Sequence, residues 1–180
     1  MSKGAIAIAP LDGLVTLPEI KNETVRGYAP GSPEREDISA ALRQMTNTRQ
    51  DLPSVIAGKA VRTGRIELAV MPHNHKHILA DVHLAGSEQV RAAISAANEA
   101  QQDWAASAWT DRAAVFLKAA HILATKRRNE LNAATMLGQS KTVHQAEIDS
   151  AAELIDFWNF NVAFMHRLYQ EQPLSEPASG

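Results

Sequence analysis

The most restrictive feature of the sequence is the apolar pattern of residues 141–169. Apolar side chains recur there at spacings of three and four, which predicts one long α-helix. At about 100° per residue they fall into two stripes on different sides of that helix. The stripes are Ile148, Ala151, Ile155, Trp158, Val162, Met165 and Tyr169, and Phe157, Phe160 and Phe164. A helix with two apolar sides normally packs on both, so we expect burial of both stripes.

The remaining pattern predicts a mostly helical chain with a small β element. Ser32 and Pro33 form a helix-start signal, and the helix that follows is expected to end near Gln50. Period-two segments predict a hairpin over residues 55–61 and strands over residues 66–70 and 77–84. Further helices are expected after Ser87, with many alanines for close packing, and from about residue 110 to a C-cap at Gly138.

Composition excludes several classes of function. The 180 residues include no cysteine, so the chain has no disulfide, no thiolate metal ligand and no cysteine nucleophile. Its formal net charge is -2, which gives no basic field for nucleic acid or an anionic membrane. No apolar run reaches the roughly 18 to 20 residues of a membrane span. We therefore expect a cytoplasmic protein without nucleic-acid or membrane partners.

The common catalytic motifs are also missing from the sequence. It contains no G-x-G-x-x-G or Walker loop, no G-x-S-x-G elbow and no H-E-x-x-H. His73, His75 and His77 alternate, but outer positions of such a set lie too far apart to reach one ion without a bend. Loop or surface histidines are the favoured interpretation, and a metal site using His73 and His75 is the weaker one.

Glu153 is the candidate binding residue because it falls within the second aromatic stripe of the long helix. An ionised carboxylate among phenyl rings needs a counter-charge or several donors. Either a lysine or arginine of a neighbouring helix supplies it, or the acid awaits a cationic group of a substrate. Asp149 and Asp156 lie at the margin of the stripe, where we expect them to be solvated or to cap neighbours. The basic run of residues 126–128 is interpreted as a solvated helix end.

Three segments resemble one family closely. They are G-S-P-E-R at residues 31–35, D-R-A-A-V-F-L-K-A-A at residues 111–120, and G-Q-S-K-T-V-H-Q-A-E-I-D-S-A-A-E-L-I-D-F at residues 138–157. In order and content they resemble the L-glutamate γ-semialdehyde dehydrogenases, also called 1-pyrroline-5-carboxylate dehydrogenases, of the aldehyde dehydrogenase superfamily. The likeness runs from about Asn22 to Leu174, and the third segment distinguishes this branch from other aldehyde dehydrogenases.

The resemblance implies an α/β parent fold of which this chain is the N-terminal portion. It divides the chain into an extended arm over residues 1–31, a helical and β portion over 32–170, and a linker into downstream domains over 171–180. The arm and the hairpin are expected to lie on the rest of the enzyme or on a neighbouring subunit. The parent would be a homo-oligomer that uses NAD and serves proline degradation, with a cysteine thiolate that attacks the aldehyde of a small-molecule substrate.

The same resemblance implies a role for Glu153 beside the α-ammonium group of the substrate. It implies no catalytic and no cofactor-binding residue in this chain, because the family's cysteine, oxyanion-hole asparagine and cofactor loops belong to segments not present here. The isolated chain is accordingly predicted to be inactive. The alternative is a non-catalytic helical module that binds a protein partner through Phe157, Phe160 and Phe164.

Overall fold

The computed structural model describes residues 15–171 and residue 173, so the first fourteen residues and most of the expected linker lie outside it. Residues 15–29 contain neither helix nor strand. Six α-helices, five strands and two π-helical segments follow in the described part. The helices are α1 Pro33–Thr46, α2 Ser87–Ala106, α3 Trp109–Ile122, α4 Arg128–Gln139, α5 Val143–Ala146 and α6 Glu153–Gln170. The π-helical segments are π1 Leu123–Arg127 and π2 Glu147–Ala152.

The strands form two small sheets. They are β1 Gln50–Leu52, β2 Ser54–Ile56, β3 Lys59–Val61, β4 Ile66–Met71 and β5 Asn74–His83. In the larger sheet β5 lies in the centre, parallel to β1 and antiparallel to β4. The other sheet is the antiparallel hairpin β2–β3. The hairpin, β4 and β5 were expected from the period-two pattern, although β5 begins three residues earlier than residue 77. β1 was not predicted, and the expected end of the first helix near Gln50 is wrong, because α1 ends at Thr46 and Gln50 begins β1.

Local signals explain where several elements begin and end. The Ser32 hydroxyl accepts a hydrogen bond from the backbone N–H of Arg35, and Pro33 is the first residue of α1, as predicted. Thr142 caps α5 and exchanges hydrogen bonds with Gln145. The predicted C-cap at Gly138 is wrong, because α4 continues to Gln139 and Ser140 adopts the left-handed conformation with φ of 57°.

The hydrophobic core lies between α3, α4 and the last helix. Ala120, Leu123 and Ile155 form its buried centre, with Leu131 and Trp158 packed against them. The first stripe of the long helix faces this core through Ala151, Ile155 and Val162, which are all at most 2% exposed. The expected burial is wrong at the ends of the stripe, where Ile148 is 39% exposed and Tyr169 is 48% exposed. By contrast, α2 contains no buried residue, so the close packing expected from its alanines is absent from the described part of the chain.

The β2–β3 turn offers a test of backbone strain. Ala57 and Gly58 both have positive φ, of 50° and 74°, as a tight two-residue hairpin turn requires. Alanine is penalised there, whereas asparagine tolerates the left-handed region. We expect Ala57→Asn to raise the free energy of unfolding by about 0.5–1 kcal/mol, measured by urea denaturation. Ala60→Asn, on exposed β3, is the control and should give no gain; equal effects of the two would contradict the strain argument.

Candidate functional site

A shallow pocket of about 240 Å³ lies along α6 beside the second aromatic stripe. Its walls are Glu153, Asp156, Phe157, Phe160, Asn161 and Phe164. Phe157 is 55% exposed and Phe164 is 49% exposed, while the Phe160 and Phe164 ring centres are 6.2 Å apart. The expected burial of this second stripe is therefore wrong within the described residues. The last helix packs on one side and leaves an aromatic surface on the other.

The two carboxylates of this pocket have different surroundings. Asp156 accepts a hydrogen bond from the backbone N–H of Glu23 at 2.6 Å and one from the Asn22 side chain at 2.8 Å. Asp156 thereby caps backbone and side-chain N–H groups of the arm, and capping of neighbours was one of the two roles predicted for it. The Glu153 side chain is exposed and has no hydrogen bond or ion pair with any residue the structure describes. Of the two acids, Glu153 is the one still available to a ligand.

The position of Glu153 corrects one premise of the sequence analysis. The residue does lie beside Phe157 and Phe160, as predicted, but it is exposed rather than buried among them. The free-energy cost of burying its charge, from which we expected either a neighbouring lysine or arginine or a cationic group of a substrate, does not arise in the described chain. Its assignment as the substrate-binding residue stays a prediction, and none of the described contacts tests it.

The buried acid is Glu147, six residues earlier, which the sequence analysis did not single out. Its side chain is 0% exposed and is paired with Arg128, which is 2% exposed. The Arg128 Nε lies 3.1 Å from one carboxylate oxygen and 3.2 Å from the other. Asn132 donates from its side-chain amide at 2.8 Å. Arg128 thus lies in the protein interior, and the prediction of a solvated helix end at residues 126–128 is wrong for this residue.

The same ion pair attaches the arm to the helices. The Arg26 backbone N–H and the Tyr28 hydroxyl donate to the Glu147 carboxylate at 2.8 and 2.7 Å. Arg128 also binds the Glu23 carboxylate and donates to the Thr24 carbonyl at 2.7 Å. The described part of the arm therefore lies on this chain's own helices, whereas we expected the rest of the enzyme or another subunit.

The network shifts the pKa values of its members in opposite directions. Burial alone would raise the pKa of Glu147, but hydrogen bonds from Arg128, the Arg26 backbone, Tyr28 and Asn132 outweigh it and hold that pKa below its usual value. Burial and the hydrogen bond to Glu147 raise the pKa of Tyr28 to about 12. Glu147 is therefore an anion and Tyr28 a neutral donor over the physiological range.

The three alternating histidines separate in the structure. His73 lies in the turn between β4 and β5, and its Nδ1 lies 2.7 Å from the Ser140 hydroxyl. His77 contacts the Thr46 carbonyl at 2.9 Å, and His75 is exposed. Among the residues that the structure describes, no three histidine, aspartate or glutamate side chains are grouped to hold a metal ion. Within the same residues, no helix is both long and apolar enough to cross a bilayer.

A larger cavity of about 840 Å³ lies between α1, the three-stranded sheet and α4, away from Glu153. Short apolar side chains such as Ala41 and Leu137 form much of its wall, together with Gln44, Thr48 and Asn129. The smaller pocket is the candidate site, because Glu153, which has no partner among the residues that the structure describes, meets aromatic rings there, an arrangement suited to an organic cation.

Comparison with known proteins decides the family. The model of the aldehyde dehydrogenase family matches residues 61–179, more than half of the chain. The chain belongs to the aldehyde dehydrogenase family. Structures of aldehyde dehydrogenases agree with this. A delta-pyrroline-5-carboxylate dehydrogenase from Mycobacterium tuberculosis, solved with NAD and cobalamin, superposes with a TM-score of 0.89 and 45% identity over 93% of this chain and 32% of that one. The resemblance and the α/β fold class predicted from the sequence are confirmed.

The curated relatives belong to the branch that the sequence motifs indicated. A delta-1-pyrroline-5-carboxylate dehydrogenase of Agaricus bisporus is 46% identical over 158 residues, which are 87% of this chain and 29% of that protein. The human mitochondrial protein of the same name is 42% identical over 161 residues, 89% of this chain and 29% of its own length. This aldehyde dehydrogenase chain thus spans about three tenths of the length of these relatives.

Proposed function

We propose that this chain is the N-terminal part of an NAD-dependent dehydrogenase that oxidises L-glutamate γ-semialdehyde, formed from 1-pyrroline-5-carboxylate, to L-glutamate in proline degradation. The observation that carries the proposal is the 42–46% identity, over nearly nine tenths of the chain, to relatives named for this reaction. Other members of the superfamily also act on aldehydes, so the branch of the superfamily to which the relatives belong is what indicates the particular substrate. The domain division is part of the same proposal, with an arm before residue 32 and a linker after residue 170.

Glu153 is the residue of this chain that would bind the substrate. Glutamate semialdehyde carries an α-ammonium group and a short aliphatic chain that ends in the aldehyde. The exposed carboxylate of Glu153 can accept charge-assisted hydrogen bonds from the ammonium group, while Phe157 and Phe160 provide an apolar wall for the aliphatic carbons. Asp156 is already hydrogen-bonded to the arm, which leaves one carboxylate for one substrate cation.

The chemical step requires groups that this chain does not contain. NAD, when bound, accepts the hydride of the aldehyde carbon. Among residues 15–171 no glycine-rich turn joins a strand to a helix in a parallel βαβ unit, so the described residues do not form a dinucleotide site. The sequence has no cysteine to act as the nucleophile. The contribution of this chain is therefore to bind and orient the substrate.

The proposal includes a cytoplasmic homo-oligomer as the parent enzyme. The absence of cysteine fits a reducing compartment, although several curated relatives are named as mitochondrial proteins. Cell fractionation and light scattering of the full-length protein would test location and assembly. A helical module that binds a protein partner remains the alternative, supported by the exposed rings of Phe157 and Phe164.

An activity assay tests the proposal directly. Protein expressed from the complete coding frame should reduce NAD with glutamate semialdehyde and show a higher kcat/KM for it than for propanal, which lacks the ammonium group. The purified 180-residue chain should show no activity with either substrate, because it has no thiol nucleophile. A complete frame that ends after Gly180, or a full-length protein without this activity, would contradict the proposal and favour the interaction module.

A further inference from the structure

Glu147 is held at a fixed place relative to α4 and the arm. Its buried carboxylate receives hydrogen bonds from Arg26, Tyr28, Arg128 and Asn132. A buried carboxylate that left these donors would lose both its counter-charge and its hydrogen bonds. The start of the π2 segment is therefore anchored, since Glu147 is its first residue.

Both members of the ion pair lie at a change of helix type. π2 runs from Glu147 to Ala152 and ends directly before Glu153, while π1 ends at Arg127, directly before Arg128. The two π segments contact each other. A π turn contains about one residue more than an α turn, so its conversion to regular α-helix would rotate the following residues by about 100°. The direction in which the Glu153 side chain projects from the helix axis therefore depends on whether π2 remains π-helical.

The other end of π2 is anchored independently. Ile155 is 1% exposed and Val162 is 2% exposed, and they place one face of α6 on the core beside α3. Glu153 lies between the anchored residues Glu147 and Ile155, on the side of the helix that faces away from the core. With Glu147 and Ile155 both held, the six residues of π2, Glu147–Ala152, are kept as a π turn, and the Glu153 carboxylate lies at the aromatic pocket.

We infer that Arg128 is a positioning residue for substrate recognition: its buried pairing with Glu147 holds π2 and thereby places Glu153 at the pocket beside Phe157 and Phe160. The inference rests on the proposed function, because it assigns Arg128 an effect on substrate only through Glu153. Arginine suits this role since its planar guanidinium binds Glu147, Glu23 and the Thr24 carbonyl at once. A lysine ammonium is a single point charge and cannot reproduce that set of bonds.

The experiment is a double-mutant cycle in the full-length enzyme with Arg128→Lys and Glu153→Ala. Arg128→Lys should raise KM for glutamate semialdehyde about 10-fold while kcat and the KM for propanal stay within about 2-fold. In the Glu153→Ala background, Arg128→Lys should cause no further change in the ratio of the KM values for the two substrates. Arg127→Lys is the matched control, because Arg127 is exposed and pairs with Glu130 on the surface. It should change neither KM.

The outcomes separate the two proposals. If Glu153→Ala affects both substrates equally, the substrate-binding role of Glu153 fails. If Glu153→Ala is selective but Arg128→Lys lowers activity toward both substrates alike, or the two variants act additively, the positioning role alone fails. Should Arg128→Lys not fold, Tyr28→Phe removes only one donor to Glu147. Tyr28→Phe is expected to raise the semialdehyde KM about 2- to 3-fold without changing the KM for propanal. An unchanged ratio of the two KM values would overturn the inference.

Discussion

Replacement of Glu147 by alanine is expected to destabilise the chain by about 3–5 kcal/mol, because it leaves the buried guanidinium of Arg128 without its main partner. Arg128 would retain only the Thr24 carbonyl and one carboxylate, that of Glu23, which is partly exposed. The same change removes the acceptor for Tyr28 and for the Arg26 backbone, so the arm should also be held less firmly against the helices. Urea denaturation followed by circular dichroism measures the effect, and increased proteolysis of residues 15–29 reports release of the arm.

A surface ion pair provides the control for that prediction. Glu130→Ala removes the exposed partner of Arg127 and should cost less than about 0.5 kcal/mol. If Glu147→Ala and Glu130→Ala lower the free energy of unfolding by similar amounts, the buried network contributes little to stability.

The network also sets the pH dependence of stability. The pKa of Glu147 is lower in the folded state than the ordinary glutamate value of 4.5, which we take for the unfolded chain. Its contribution is therefore present above that value and is lost as the pH falls through the folded pKa. Burial and the bond to Glu147 raise the pKa of Tyr28 from 10.0 to about 12, so its contribution is present below pH 10.0 and is lost as the pH rises toward 12. Tyr28→Phe should remove this alkaline loss.

Replacement of Glu153 by alanine in the full-length enzyme is expected to raise the KM for glutamate semialdehyde about 10- to 100-fold. A hydrogen bond between charged groups contributes about 1.5–3 kcal/mol, and each 1.4 kcal/mol is a factor of about ten. The KM for propanal should change little, because propanal has no ammonium group. Glu153→Gln keeps the size of the side chain but not its charge and should give an effect of the same sign.

Asp149→Ala is the matched control for Glu153. Asp149 is an exposed acid of the same continuous helix, but it pairs with Lys141 and does not line the aromatic pocket. Its replacement should leave the ratio of the two KM values unchanged. If Glu153→Ala raises the KM values for semialdehyde and propanal by equal factors, Glu153 supports the structure and does not recognise the ammonium group.

Sequence reasoning predicts the parts of this fold that depend on near neighbours. Ser32 and Pro33 begin α1 through contacts within one turn, and Ala57 and Gly58 form a hairpin turn through their own backbone conformations. The core stripe of Ile155 and Val162 follows from helical spacing alone. Such signals need no knowledge of the rest of the chain.

The buried network could not be predicted in the same way, because its partners are far apart in sequence. Tyr28 lies 119 residues from Glu147, and Arg128 lies 19 residues from it. The π1 segment also shifts the helical phase just before Arg128, so counting from Leu123 misplaces its side chain. One signal was present: Glu147 lies one turn before Ala151 and two turns before Ile155, on the core stripe.

The exposure of the aromatic stripe could not be predicted from the sequence pattern. Phe157, Phe160 and Phe164 have core-like spacing, yet Phe157 and Phe164 are about half exposed in the described chain. Periodicity reports which side chains share a face but does not identify what covers that face. Relatives about three times as long as this chain have further polypeptide that could pack there.

The most direct test is a crystal structure of the full-length enzyme with L-glutamate, the proposed product, bound in its active site. The account predicts that a Glu153 carboxylate oxygen lies about 2.7–3.2 Å from the α-ammonium nitrogen, with Phe157 or Phe160 against the aliphatic carbons. A ligand whose ammonium group is bound by other residues, with Glu153 turned away into solvent, would contradict it.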